Sequence, residues 1–181
     1  QMVDSPTNNF ATWNPLAYTG KTAMTEGNLN GYGDDGTSHN DGGTSTIGVI
    51  SGKWYWENRI TAQGGADRVG VYPATHQVIE GTDMLAATNS TYYQNNGQKT
   101  VSGVSSSYGD TYTTGDIIGV ALNLEDDEVK FYKNNTVQNS GTALSLASIS
   151  DFWNPAQCGY LNSQIMANFG QDSSFAGNET A

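Results

Sequence analysis

The sequence predicts an all-β protein, folded as a two-sheet antiparallel β-sandwich. No stretch of twelve residues sustains apolar spacing of three and four, whereas several short stretches alternate apolar and polar residues between clusters of Gly, Asn and Ser. Composition points the same way. The 20 Thr, 18 Asn, 16 Ser and 22 Gly of the 181 residues favour strands and turns over helices.

In chain order, the first expected strand lies near 45–50. KWYWENRI (53–60) follows, with Trp54, Trp56 and Ile60 on one side and Tyr55, Glu57 and Arg59 on the other. Aromatic bulk on both faces places this strand well inside a sheet. Further strands are expected near 68–72, 157–161 and 164–169. The clearest element is GDIIGVALNLEDDEVKFYKNN (115–135). There Ile118, Val120, Leu122 and Leu124 share one face, Glu125–Glu128 form an acidic hairpin tip, and Val129 and Phe131 share a face on the return. The stretches 27–43 and 89–114 read as loops or loop-flanked short strands, with Asn30-Gly31 and Asn96-Gly97 as turn signals. Trp13-Asn14-Pro15 and Trp153-Asn154-Pro155 read as turns anchored by tryptophan. The similar triplets at 47–49, 69–71 and 118–120 have irregular spacing and read as strands with a glycine at a crowded contact, not as a repeat.

Length is sufficient for one domain with its own core. Seven Lys plus Arg against eighteen Asp plus Glu give a net charge of −11 and a pI near 4.2. So few cations cannot drive counterion release, which excludes nucleic acid as a partner and argues against anionic membrane surfaces. No apolar run approaches the roughly 20 residues that span a bilayer, so no membrane insertion is expected. The opening residues have neither a basic region nor an apolar stretch, so no signal peptide is expected here. Cys158 is the only cysteine, which leaves no internal disulfide, and a small buried residue is the expected role.

SGKWYWE (51–57), RVGV (68–71), the 115–135 hairpin and MANFGQDSSFAG (166–177) resemble, in order and spacing, the core strands of the SPRY domain family. The lead-in DSPTNNFATWNPL (4–16) is similar to that of SPRY-like domains in bacteriophage and environmental viral proteins. The resemblance implies a concanavalin-like, bent β-sandwich (SPRY jelly roll) occupying 1–181, with lead-in strands and loops over 1–44 and a core over 45–177. It also implies a binding module without catalysis or cofactor, contacting a protein or peptide through loops at one end, while related sandwiches bind sugars. Asn135 stands where the family usually has glycine.

The residues add no catalytic set. Glycoside hydrolysis needs two facing carboxylates, yet Glu57 has Arg59 as its neighbour two residues on, and the acidic tip at 125–128 is a solvated turn. His39, His76 and Cys158 lie in distant segments, which argues against a metal site and a nucleophilic triad. The loop GDDGTSHNDGG (33–43) offers Asp34, Asp35, Asn40 and Asp41 as oxygen donors but lacks the twelve-residue calcium-loop spacing, so a plain turn is expected. The candidate ligand-binding residues are aromatic. Tyr92, Tyr93, Tyr108 and Tyr112 fall in a Ser/Gly/Asn/Thr-rich stretch whose composition resembles recognition loops, with Tyr72 and His76 in the adjoining loop and Trp153 ahead of the next strand.

The favoured reading is a noncatalytic recognition or structural domain of a viral, most plausibly bacteriophage, particle: tail fibre or capsid surface, in the virion or extracellular. Its partners would be host-surface glycan or protein, other virion proteins and, in an assembly, further copies of the chain as a homo-oligomer. The alternatives are a peptide-binding adaptor module of a cellular protein and a purely structural decoration domain.

Overall fold

In a computed structural model of the chain, residues 9–19, 24–33, 41–78 and 83–175 are described. Fourteen strands appear among them. The first five are β1 (Trp13–Tyr18), β2 (Asn30–Tyr32), β3 (Asp41–Ser45), β4 (Lys53–Ala62) and β5 (Arg68–Pro73). Next come β6 (Thr91–Gln94), β7 (Gln98–Val101), β8 (Val104–Ser107), β9 (Ile117–Asn123) and β10 (Glu128–Lys133). The last are β11 (Thr136–Val137), β12 (Leu144–Ser145), β13 (Trp153–Gly159) and β14 (Gln164–Asn168). One sheet runs β1-β3-β13-β5-β6-β7-β8 and the other β11-β10-β9-β4-β14-β2, with β12 against β10. All pairings are antiparallel.

The central hairpin follows its alternation. Phe131 pairs with Val120 and Val129 with Leu122, and all four are buried together with Ile118. Leu124, the last residue of the alternating run, is only partly buried against this core. β4 lies between β9 and β14, in the sheet interior its two aromatic faces required. Trp56 and Ile60 enter the core, whereas Trp54 is half-exposed at the end of the sandwich. Asn134 (φ 46°) and Asn135 (φ 65°) join β10 to β11 as a two-residue loop. Both central residues have positive φ, as a type I′ turn demands. Asparagine tolerates that conformation, so Asn135 performs the turn that glycine serves elsewhere.

Several expectations need correction. Both Trp-Asn-Pro triplets are strands, not turns. Pro15 sits on edge strand β1 within a register irregularity, and Pro155 pairs with Val71 on one side while pairing to β3 begins at Ala156. Proline is admitted where a ladder hydrogen bond is not asked of it. The strand expected at 45–50 is β3, displaced towards the N-terminus, and only Val49 makes an isolated bridge, to Trp153. Gly42 and Gly43 permit this, because a Cβ at Gly42 would strike the β13 backbone. Asn30-Gly31 is likewise strand β2, where Gly31 admits the Gln157 side chain, while Asn96-Gly97 is the turn its sequence predicts. The crowded-contact reading holds at Gly70, against the β6 backbone, and at Gly119, beneath Tyr55.

The sheets enclose one core, to which Trp56, Ile60, Val69, Val71, Tyr93, Val120, Phe131 and Ile165 contribute. A second apolar cluster lies on the opposite face of the β5/β13 region, where Tyr72, Tyr92, Ala156 and Cys158 pack against Met84 and Ala87 of the connection leading to β6. This part of the sheet is therefore buried on both faces. Burial pushes the Cys158 thiol up to about 12, which leaves it protonated and unreactive near neutrality.

Candidate interaction surface

Antiparallel pairing brings the β4–β5, β6–β7, β8–β9 and β13–β14 connections to one end of the sandwich. Backbone hydrogen bonds fasten them there. Gly65 N donates to Tyr160 O at 2.9 Å, Tyr108 N and Gly109 N donate to Gly97 O at 3.0 and 2.9 Å, and Tyr112 N donates to Asn95 O at 2.9 Å.

Asp67, fully buried, sits at the junction. Its carboxylate accepts from Gly64 N at 3.0 Å and Asn95 Nδ2 at 3.1 Å. Its carbonyl accepts from Asn95 N at 3.0 Å and Tyr112 Oη at 2.8 Å. One residue thus ties three connections together. Burial raises its carboxyl above the ordinary value, while the bonds from Gly64 and Asn95 act in the opposite sense.

Above this clasp lies an open cleft of about 470 Å³, lined by Gln63, Asn95, Asn96, Thr111 and Thr113 and bounded by Asp116 and Lys133. Lys133 Nζ lies 3.4 Å from the Asp116 carboxylate and donates to Thr111 O at 2.7 Å. Burial acts to raise the Asp116 pKa, but Thr113 N, Asn134 Nδ2 and Lys133 outweigh it and hold the carboxyl below the ordinary value. The cleft is therefore rich in amides and hydroxyls, with its two charges neutralising each other.

The aromatic residues expected to form the binding face take a different place. Tyr72, Tyr92, Tyr93, Tyr108, Tyr112 and Trp153 are all buried, none more than 7% exposed. Tyr93 is the hub of a ring cluster, with centroids 5.3 Å from Tyr108, 5.1 Å from Tyr112 and 5.6 Å from Phe131. Its hydroxyl donates to Asp110 O. Tyr92 points to the other face, into the second apolar cluster. Tyr93, Tyr108, Tyr112 and Trp153 belong to the core between the sheets and Tyr72 and Tyr92 to the second cluster, so none of the six presents a stacking surface. Of the candidate set only His76 is partly exposed, beside Thr75 Oγ1 at 3.0 Å and edge-on to the Tyr72 ring. The residues that shape the cleft were missed because isolated Asn, Thr and Gln in a sequence rich in them carry no signal. Asp67, preceding a strand, gave none either.

Asp34, Asp35, His39 and Asn40 lie outside the described residues, and Asp41 opens β3 in a buried position. Among the described residues no group of three or more His, Cys, Asp or Glu side chains is placed to hold a metal ion. Glu57 shares a shallow depression with Asp172, whose carboxylate accepts from Ser174 N at 2.9 Å and Ser174 Oγ at 2.8 Å as the cap of its own turn. At the acidic tip, Asn123 Nδ2 donates to Asp126 at 2.7 Å and Lys53 pairs with Glu125 at 3.3 Å, both in exposed positions.

Two antiparallel sheets with connections converging on a polar cleft, whose one carboxylate and one ammonium group are paired, form a β-sandwich. The family model of the SPRY domain matches residues 53–172, and the chain belongs to that family of protein-interaction modules. Among solved structures, the SPRY domain of human HERC1 superposes with a TM-score of 0.67 at 17% identity, covering 88% of this chain and 99% of that one. Stonustoxin gives a TM-score of 0.65 at 20% identity over 88% of this chain and 27% of its own length. At these identities the likeness is one of fold.

Proposed function

We propose that this domain recognises a protein partner, without catalysis, through the polar cleft at its loop end. The observation that carries the reading is the cleft's construction: its walls come from separate connections, and the buried Asp67 holds them in one arrangement. Preorganised walls reduce the ordering cost of binding. The lining supplies hydrogen-bond donors and acceptors with no net charge, so it suits a polar, uncharged segment. Selection from a random peptide library, beside a glycan array, tests this. Enriched peptides should lose at least tenfold in affinity with Thr113→Arg or Asn96→Arg, which fill the cleft. Selection of glycans alone, lost in the same variants, would move the assignment to carbohydrate.

The setting we propose is the exposed surface of a viral particle, a bacteriophage tail fibre or capsid, with host-surface protein or glycan and other virion proteins as partners. The lead-in at 4–16 and a composition poor in charge and rich in Thr, Asn, Ser and Gly support it. The fold likeness to a human SPRY domain supports the second reading, a peptide-binding adaptor of a cellular protein. Mass spectrometry of purified particles distinguishes them: detection of the chain as a stoichiometric component upholds the first reading.

A further inference from the structure

The end of the sandwich opposite the polar cleft carries a concentration of exposed apolar side chains. Trp54 is 49% exposed, Tyr55 52% and Phe152 48%, and Phe10 and Ile47 are also open to solvent. They come from the lead-in, the β3–β4 connection, the start of β4 and the residue before β13. Apart from Tyr55 they are contiguous. Phe10, Ile47 and Trp54 line one apolar cavity of about 140 Å³ whose inner wall includes Trp56 and Phe169, whereas the Tyr55 ring lies round the strand on the outer sheet face, over Gly119 and edge-on to Tyr132. Phe152 adjoins it across Gly48, where a Cβ would come within 2.9 Å of the Phe152 Cβ. Trp54 is held in place by its indole Nε1, which donates to Ser51 O at 2.8 Å. A cavity of this size takes one ring or one branched aliphatic side chain, and grouped exposed aromatics are the composition of a contact centre.

The surroundings specify the charge of what would sit there. Glu128 lines a second depression with Trp54 and Tyr55, where Lys53 and Lys130 stand beside it. Glu125 is reached by Lys53, next to Trp54, and Asp126 and Asp127 complete the same hairpin tip. Asp151 stands beside Phe152 and accepts from its backbone N–H. The segments at this end thus carry five carboxylates, Glu125, Asp126, Asp127, Glu128 and Asp151, against two ammonium groups, Lys53 and Lys130, on a chain whose net charge is −11. An identical copy would bring the same negative charge to the contact, which disfavours self-association. A cationic segment would be attracted, and a Lys or Arg side chain of it would also lie over the Trp54 ring.

We propose that this end is a second docking surface, which takes a basic segment of a partner protein anchored by one aromatic or branched aliphatic side chain in the 140 Å³ cavity. It is separate from the polar cleft, so the two sites can be inactivated independently.

The test uses the 181-residue chain and fluorescein-labelled twelve-residue peptides with a single Phe or Leu in a Lys/Arg, Gly/Ser or Asp/Glu background, read by fluorescence anisotropy. The basic peptides should bind saturably and at least tenfold tighter than the acidic ones, and weaken severalfold between 50 and 500 mM NaCl, both on the order expected for screened charge attraction. Replacing the anchor by Gly should cost about tenfold, within the range for one buried hydrophobic contact. Trp54→Ala and, independently, Phe152→Ala should each reduce affinity by at least fivefold, with circular dichroism and melting curves confirming the fold, and Thr113→Arg in the cleft should leave it unchanged. Basic peptides that bind no better than acidic ones, anchorless peptides that bind equally well, or affinity unaltered in both aromatic variants would overturn the proposal. A concentration-dependent dimer in sedimentation velocity, abolished by Trp54→Ala, would overturn it in favour of a second copy.

Discussion

Tyr92 and Tyr112 make a matched pair for asking what the buried tyrosines contribute. Both are buried phenols whose titration burial pushes well above the ordinary value, but their hydroxyls are treated differently. Tyr112 Oη lies 2.8 Å from Asp67 O and 2.9 Å from Tyr93 O, whereas Tyr92 Oη is buried with no hydrogen-bond partner among the described residues. Removing the Tyr112 hydroxyl forfeits a hydrogen bond worth about 0.5–1.5 kcal/mol. Removing the Tyr92 hydroxyl relieves a desolvation cost of about 1–3 kcal/mol, offset in part by the small void left behind. Tyr112→Phe should therefore destabilise by about 1 kcal/mol, and Tyr92→Phe should be neutral or stabilise by about 1 kcal/mol. For a domain of this size the two variants should differ in melting temperature by about 2–8 °C. Urea unfolding followed by tryptophan fluorescence, with calorimetry beside it, measures both. Equal losses, or a Tyr92→Phe loss above about 1 kcal/mol, would refute the assignment of the two environments.

Truncating Trp56 or Phe131 to Ala should cost about 3–5 kcal/mol, since both are buried in the core; a melting temperature unchanged in either would show that its facing is wrong. Asp116 has a lowered pKa, so its contribution to stability is present above the unfolded value of 3.8 and lost as pH falls through the lower folded value. The gap in urea midpoint between wild type and Asp116→Asn should accordingly shrink as pH is taken from 6 to below 3.8, and a constant gap would contradict this. Polysaccharides should not be hydrolysed, because Asp172, which shares a depression with Glu57, is engaged as the cap of its own turn; turnover abolished by Glu57→Gln would establish an enzyme. A chelator should leave the melting temperature unaltered, and a fall of several degrees would reveal a structural cation in the 33–43 loop.

The all-β sandwich and its central hairpin were legible in the sequence because they rest on local alternation. Ile118, Val120 and Leu122 face Val129 and Phe131 across a turn of four residues, and period-two patterning specifies such a face without knowledge of the rest of the chain. The lone cysteine's burial was legible too, from its chemistry alone. Tertiary structure alone decided the fate of Tyr92 and Tyr93. A Ser/Gly/Asn/Thr-rich stretch with tyrosines describes a recognition loop and a doubly buried strand equally well. The choice was made by Met84 and Ala87, which pack over the outer face at Tyr92, and by Phe131, which meets Tyr93 inside. Asp67 and the cleft depended on segments as distant in sequence as Gln63 and Lys133 meeting at one end. The apolar end likewise exists only because the lead-in, β4 and the residues before β13 converge. Periodicity records which face of an element is apolar, but whether that face is covered depends on contacts between distant segments, and those are set by topology.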